Sequence, residues 1–244
     1  MFVRSLFIVL QFVYFFQAKE LPEFFQNYRC SLTKDFRNCF IEKGNKVIPV
    51  IAKGDPELHI PKMIPLELKH LQLVETPTLN LHLSDIKIYG LDEMKIRDVR
   101  LFKNYGGFSA MLEGKNLTIE GQYSVNGKIL VLPIKGNGPF SLYLKNGLYK
   151  AIVTAEAYEK NGKKYFRSTG DKLEYSVENI TFDLDNLFDG NKQLGDEMNR
   201  FLNENWDLLL TDFGPGIAKI VSSMHRKMFD AFTSEYAIYE IFLE

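Results

Sequence analysis

The chain changes its hydrophobic period once, near Asn191, and this change constrains the fold more than any other feature. Before it, apolar residues recur at every second position, as in 79–83 and 117–125, which is typical of half-buried β-strands. After it, apolar residues step by threes and fours, which predicts a helix. The apolar positions of this second part are Leu194, Met198, Phe201, Leu202, Leu209, Phe213, Ile217, Ile220, Met224, Met228 and Phe232.

The first part predicts a long antiparallel meander from about Leu58 to Leu184. Asn126-Gly127 lies between two alternating runs, and such a pair is a strong hairpin signal. Further Asn-Gly pairs at 137–138, 146–147 and 161–162 suggest more turns. A shorter helix is expected near the N terminus, from Leu21 to about Val50.

The second part predicts a helix of about forty residues, which at ~1.5 Å per residue is about 60 Å long. Pro215, between Gly214 and Gly216, should kink or break it. The apolar phase continues across the proline, which favours a bent continuous helix over a helical hairpin.

A helix of this length would overhang a flat sheet of short strands, so a sheet curled around the helix is expected. The predicted fold is α+β: a strongly curved antiparallel β-sheet wrapped around one long C-terminal α-helix, with a short N-terminal helix. Residues 19–244 should form a single domain, since no linker-like segment or internal repeat interrupts them.

Residues 1–18, MFVRSLFIVLQFVYFFQA, are interpreted as a signal peptide cleaved near Ala18. Their apolar run is short for a bilayer span, although an uncleaved anchor is the alternative. Cys30 and Cys39 are expected to form a disulfide, and Asn116 and Asn179 begin glycosylation sequons. We therefore expect a secreted, extracellular glycoprotein with no stable membrane insertion. The net charge of −1, without a basic stripe, does not indicate a nucleic-acid partner.

Two motifs that could carry chemistry fail on their residue types. In the stretch from Asp185, a calcium loop would place Leu187 where an oxygen ligand is needed and Asp196 where a glutamate is needed. Asp189-Gly190-Asn191 instead indicates a turn and a helix start. GFSAM at 107–111 lacks the last glycine of a nucleophile elbow.

The remaining side chains give no positive indication of an enzyme. The four histidines have no second ligand at metal-binding spacing, so no metal or other cofactor is expected. With 31 acidic residues, a catalytic carboxylate pair stays open. The aromatic and methionine stripe of the C-terminal helix either fills a core or lines an incompletely filled tube, and apolar pockets are the usual sites for small ligands.

Four segments together resemble the takeout and juvenile-hormone-binding protein family of secreted insect proteins. They are CSLTKDFRNCF, GDPELHIPKMIPLEL, GQYSVNGKILVLPIKGNGPFSLYL and LFDGNKQLGDEMNRFLNENW, in that order from Cys30 towards the C terminus. The resemblance implies a hydrophobic tunnel inside the sheet and a non-enzymatic carrier of a small lipophilic ligand, either a terpenoid such as juvenile hormone or a fatty acid. The pair Cys30–Cys39 corresponds to the N-terminal disulfide of takeout-like members. No counterpart of a second disulfide is present, which favours the takeout-like branch.

Within this interpretation, we expect a monomer whose ligand contacts the first half of the helix and one strand. The candidate ligand-binding residues are Phe140, Leu142, Met198, Phe201, Leu202, Leu209, Phe213, Ile217 and Ile220. Two alternatives remain: a glycosylated extracellular signalling or structural protein that acts through its surface, and a lipid hydrolase for which no nucleophile is evident.

Overall fold

The computed structural model describes residues 21–243 of the chain, so the predicted signal peptide lies outside the described residues. The α-helices are α1 (Glu23–Gln26), α2 (Phe36–Ile51), α3 (Lys192–Glu204), α4 (Trp206–Glu235) and α5 (Ile238–Ile241). The strands are β1 (Leu66–Glu75), β2 (Leu79–Tyr89), β3 (Lys95–Leu101), β4 (Gly107–Ile129), β5 (Leu132–Lys160), β6 (Lys163–Ser176) and β7 (Asn179–Leu184). Short 3-10 helices cover Leu91–Glu93, Lys103–Tyr105 and Phe188–Gly190.

One antiparallel sheet holds all seven strands of the described residues and is built on a long hairpin of β4 and β5. These strands have 23 and 29 residues and stay paired from Ile129–Leu132 to Gly107–Thr154. One half of the hairpin is flanked by β2 and β7, the other by β3 and β6, and β1 extends the sheet beyond β2. Strands of this length accumulate a large right-handed twist, so the sheet curls rather than lying flat. The predicted fold class is confirmed.

The C-terminal helix differs from the prediction in where it breaks. It continues through Pro215 inside α4, as predicted, but it is interrupted at Asn205, which has φ −116° and ψ 25°. The Asn205 backbone N–H and side chain both donate to the Phe201 carbonyl, at 3.1 and 2.8 Å, so the side chain shares the last helical acceptor of α3. Pro215 is exposed, so the carbonyl that it leaves without a helical donor can face water.

The prediction of a single N-terminal helix from Leu21 to about Val50 was wrong. Between α1 and α2 the chain is irregular, and Asp35, the residue before α2, has a φ of 47°. In this segment the Cys30 carbonyl accepts from the Leu243 backbone N–H at 2.9 Å, so its backbone pairs with the C-terminal tail. The predicted disulfide between Cys30 and Cys39 is present and ties this segment to α2.

Three of the four Asn-Gly pairs lie inside strands rather than in turns. Only Asn161-Gly162 forms the two-residue turn that joins β5 to β6, with both φ angles positive. The hairpin between β4 and β5 turns at 130–131 instead of at Asn126-Gly127. A side chain at Gly127 would lie 2.7 Å from the Cα of Leu79, so this glycine permits a close approach between chains.

In the part of the chain that the structure describes, fully buried apolar residues form three separate clusters. The first, here called the far cluster, contains Leu79, Tyr123, Val125, Ile129, Ile134, Phe140, Leu187, Met198, Leu202 and Leu209. The second cluster contains Leu21, Leu58, Tyr236 and Ile241. The third contains Cys30, Phe36, Val99 and Ala110. We call these two the near clusters. The far cluster lies around α3 and the start of α4, and the near clusters lie around the end of α4, α5 and α2. The buried residues in the middle of α4, Gly214, Ala218 and Ser222, belong to none of these clusters.

Candidate ligand-binding interior

The middle of α4 is held against β6 by small residues. Gly214, Ala218 and Ser222 are buried along one line of the helix. A side-chain carbon at Gly214 would overlap the Tyr175 hydroxyl and lie 2.8 Å from its Cζ, so the helix approaches β6 closely there. Towards the central strand β4, long side chains make the contact instead: the rings of Phe108 and Phe229 are 5.9 Å apart.

Three cross-strand rows of the sheet face this part of α4. They are Leu112–Tyr149–Tyr175, Ala110–Ala151–Leu173 and Phe108–Val153–Asp171, across β4, β5 and β6. The contacts of Tyr175 with Gly214 and of Phe108 with Phe229 establish that the rows lie on the α4 side. We call them the inner rows.

A stripe of α4 faces the sheet between these contacts. With about 100° per residue, His225 projects in a direction between those of Gly214 and Phe229. Ile217 similarly projects between Gly214 and Phe213, and Phe213 packs against the far cluster. We call this set the inner stripe: Ile217, Val221, Met224, His225 and Met228.

The inner stripe is accessible although it is turned towards the sheet. Ile217 is 40% exposed, His225 is also exposed, and the other three residues are half-buried. Their neighbours along the helix, Gly214, Ala218 and Ser222, are buried. We infer from this exposure that α4 and the sheet leave a space between them here, with the buried line of the helix on one side of the stripe and the half-buried Phe213 and Ile220 on the other. We call this space the central hollow; the far and near clusters lie at its two ends.

The predicted ligand-binding residues divide between the far cluster and α4. Phe140, Met198, Leu202 and Leu209 are fully buried within the far cluster, and Leu142, Phe201 and Phe213 pack against it while half-buried. Ile217 belongs to the inner stripe, and Ile220 is half-buried nearby. The structure thus brings seven of the nine together at one end of the interior and places Ile217 on the hollow itself. Contact of these residues with a ligand stays a prediction.

Sequence reasoning did not select the second half of the inner stripe. Met224 and Met228 continue the same apolar period, so a longer stretch of the helix could have been chosen. His225 was considered only as a metal ligand, because a single polar residue within an apolar stripe carries no local signal of what it faces. The inner rows required the strand register, which the sequence does not supply.

A charged group of side chains lies beside the hollow, where α4 packs against β6. We call this contact the seam between α4 and β6. The Asp230 carboxylate accepts from the Ser168 backbone N–H at 2.7 Å and from its hydroxyl at 2.6 Å. Arg226 donates to the Ser168 hydroxyl at 2.8 Å and lies 3.5 Å from Asp171. Asp171 is the more buried of the two acids, with a side chain 17% exposed against 40% for Asp230.

Two neutral polar groups also lie on this interior. Burial lowers the pKa of His225, while the nearby negative charge of Asp171 opposes the shift. The His225 side chain is exposed, but enough protein lies around it to lower its pKa. Both observations fit a side chain at the edge of an internal space. The Tyr149 hydroxyl is buried and has no hydrogen-bond partner within residues 21–243. Burial raises the pKa of Tyr149 to about 12, so it remains a neutral donor.

Other candidate sites from the sequence have ordinary structural roles. The Asn191 side chain accepts from the Leu194 backbone N–H at 3.1 Å and caps α3, so the turn and helix start predicted there are confirmed. Asp189 is exposed and pairs with Lys135. Ser109 is buried within β4. Asn116 is exposed and Asn179 is half-buried, so both sequons lie at accessible positions, while their occupancy stays a prediction.

Two surface grooves lie away from the middle of α4. One, of about 430 Å³, runs over the outer face of β2, β4 and β5 past His82 and Gln122. The other, of about 490 Å³, is formed by the loop at 53–62 before β1. Within residues 21–243, no helix is long and apolar enough to cross a bilayer.

Comparison with known proteins agrees with this architecture. Residues 5–243 match the family described as haemolymph juvenile hormone binding protein. The chain is 26% identical to the circadian clock-controlled protein daywake of Drosophila yakuba, over 88% of this chain and 86% of that protein. It is 27% identical to a putative beta-carotene-binding protein of Schistocerca gregaria, over 63% and 62% of the two chains. The crystal structure of Epiphyas postvittana Takeout 1 superposes with a TM-score of 0.80 and 27% identity, covering 89% of this chain and all of that one. With a match that spans nearly its whole length, the chain belongs to the haemolymph juvenile hormone binding protein family.

Proposed function

We propose that this protein is a secreted, non-enzymatic carrier that holds one small hydrophobic molecule in the central hollow. The observation that carries the proposal is the accessibility of the inner stripe: Ile217 is 40% exposed while facing the sheet. Apolar side chains around an unfilled internal space gain free energy when a hydrocarbon replaces water or vacancy there. The Schistocerca gregaria relative, whose name denotes carotene binding, supports the same class of ligand.

The expected affinity follows from the area that such a ligand buries. About fifteen carbons at ~0.8 kcal/mol per methylene give roughly 12 kcal/mol before the costs of association. Loss of translational and rotational freedom takes several kcal/mol of this. We therefore expect a Kd in the micromolar to nanomolar range, for a terpenoid such as juvenile hormone or for a fatty-acid derivative.

We assign different parts of the interior different roles. The inner stripe and the β5 and β6 residues of the inner rows contact the ligand, and Phe213 and Ile220 extend this wall towards the far cluster. Phe108, Ala110 and Leu112, the β4 residues of these rows, pack in the near cluster that contains Cys30 and Phe36. Phe140, Met198 and Leu202, buried in the far cluster, close that end of the interior. The protein acts as a monomer, and its disulfide and accessible sequons support an extracellular location.

The test fills the hollow from α4. Ile217→Trp adds a bulky ring at the inner stripe and should weaken binding of a neutral lipophilic fluorophore at least tenfold. The matched control is Leu208→Trp, because Leu208 is 50% exposed on the same helix but lies outside the inner stripe. The control should bind like the wild type, and both variants should keep the wild-type unfolding temperature.

Native mass spectrometry of protein purified from its source provides the second readout. A bound lipid released on denaturation is the expected result. A correctly folded protein that carries no lipid and shows no saturable uptake of the fluorophore would reject the carrier and favour a function through surface contacts.

A further inference from the structure

We propose that the central hollow selects neutral lipids over carboxylate lipids of the same length, and that His225 hydrogen-bonds the ligand's alcohol, ester or ketone oxygen. This inference rests on the proposed carrier function and narrows the ligand to a chemical class. It assigns a specificity role to the seam between α4 and β6.

The charge around the hollow argues against a buried anion. The inner stripe and the inner rows contain no lysine or arginine, and their one charged residue is Asp171. Arg226, at the margin, is already shared among Ser168, Asp171 and Asp230. Two carboxylates and one guanidinium leave this group with a net charge of −1. A ligand carboxylate placed beside it would add a second uncompensated negative charge in a poorly hydrated space.

The position of His225 favours a neutral oxygen instead. Its ring lies in the inner stripe, and its side chain makes no hydrogen bond within residues 21–243. The lowered pKa keeps the imidazole neutral at pH 7–8, so it offers one N–H donor and one nitrogen acceptor. An alcohol can use either nitrogen, while an ester or a ketone can use the N–H.

Tyr149 adds a second neutral donor on the sheet side. It lies in the inner row with Tyr175, and its buried hydroxyl lacks a partner within the described part of the chain. An unpaired buried hydroxyl is unfavourable, and an oxygen atom of a bound molecule would relieve it. The hollow thus offers neutral hydrogen-bonding groups without a counter-ion.

The experiment compares ligands that share one skeleton. Retinol, methyl retinoate and retinoic acid compete at pH 8 for displacement of the neutral fluorophore N-phenyl-1-naphthylamine from the full-length secreted protein. We expect the alcohol and the ester to bind about ten- to a hundredfold more tightly than the acid. Equal or tighter binding of the acid would overturn the selectivity.

Three variants assign the effect to residues. His225→Leu should weaken retinol about five- to tenfold and leave retinoic acid unchanged, whereas Asp171→Asn should tighten retinoic acid and narrow its difference from retinol. The matched control is His70→Leu, an exposed histidine on β1 that should leave all three ligands unaffected. Unchanged retinol binding by folded His225→Leu would overturn the role of His225. If the fluorophore itself shows no saturable binding to the folded wild type, the carrier function fails, which is a separate outcome from loss of selectivity.

Discussion

The close approach of α4 to β6 makes opposite predictions for two glycines of one helix turn. Replacing a helical glycine by alanine removes backbone freedom from the unfolded chain and usually stabilises by about 1 kcal/mol. At Gly216 a new methyl group meets no atom within 4 Å. At Gly214 it overlaps the Tyr175 hydroxyl and lies 2.8 Å from Cζ of the same ring.

We expect Gly216→Ala to stabilise the protein by about 0.5–1 kcal/mol, because only the propensity gain operates. At Gly214 the same gain is opposed by overpacking, which costs about 1–3 kcal/mol in a close-packed contact. Gly214→Ala should therefore be net destabilising, by about 1–2 kcal/mol. A difference of about 2 kcal/mol between the two variants corresponds to roughly 4–8 °C in Tm for a domain of this size.

Thermal and urea unfolding monitored by circular dichroism measures both variants under one condition. Tyr175→Phe in the Gly214→Ala background removes the overlapping hydroxyl and should restore part of the lost stability, since Cζ stays close. If Gly214→Ala stabilises as much as Gly216→Ala, then α4 does not lie on β6 at this distance, and the inner stripe would have to be reassigned.

Three further perturbations test other parts of the structure. Tyr149→Phe should raise stability by about 1 kcal/mol, because it removes an unpaired buried hydroxyl. Tyr123→Phe should lower stability by about 1–2 kcal/mol, because the Asp185 carbonyl loses a donor at 2.6 Å. Chemical unfolding that ranked the two variants the other way would contradict this. Replacing Cys30 and Cys39 by alanine opens a loop whose ends are 9 residues apart, and it should lower the free energy of unfolding by about 2.5–3 kcal/mol. The reduced wild type serves as the comparison. The pKa of His225 is lowered in the folded state, and its charged neighbours are Asp171 on β6 and Arg226 on α4. The unfolded state therefore binds more protons than the folded state. Stability should fall as the pH drops below about 6.5 towards the folded-state pKa. This dependence of stability on pH should disappear in His225→Gln, and an unchanged dependence in the variant would contradict the prediction. Protonation of carboxylates such as Glu240, whose pKa is lowered, reduces stability only below about pH 4.5.

The sequence determined the architecture because side-chain period is a local property. Alternation before Leu184 and the three-four spacing after Asn191 give a sheet and a helix, and their lengths require a curled sheet. The cysteine pair and the helix start at Asn191 were likewise readable, since both depend on residues close together in the chain. Asn126-Gly127 was misleading for the same reason: a local turn preference yields where 22 cross-strand pairs continue the hairpin to Ile129–Leu132.

What only the tertiary structure decided was which apolar residues are packed and which are left accessible. Leu209 and Ile217 are both apolar residues of α4, yet Leu209 is 3% exposed and Ile217 is 40% exposed. The difference depends on how far the helix lies from each part of the sheet, which Gly214 and Tyr175 set through a contact between residues 39 positions apart. Period reports that a face is apolar, whereas the distance to the opposite wall determines whether that face is filled by protein or left for a ligand.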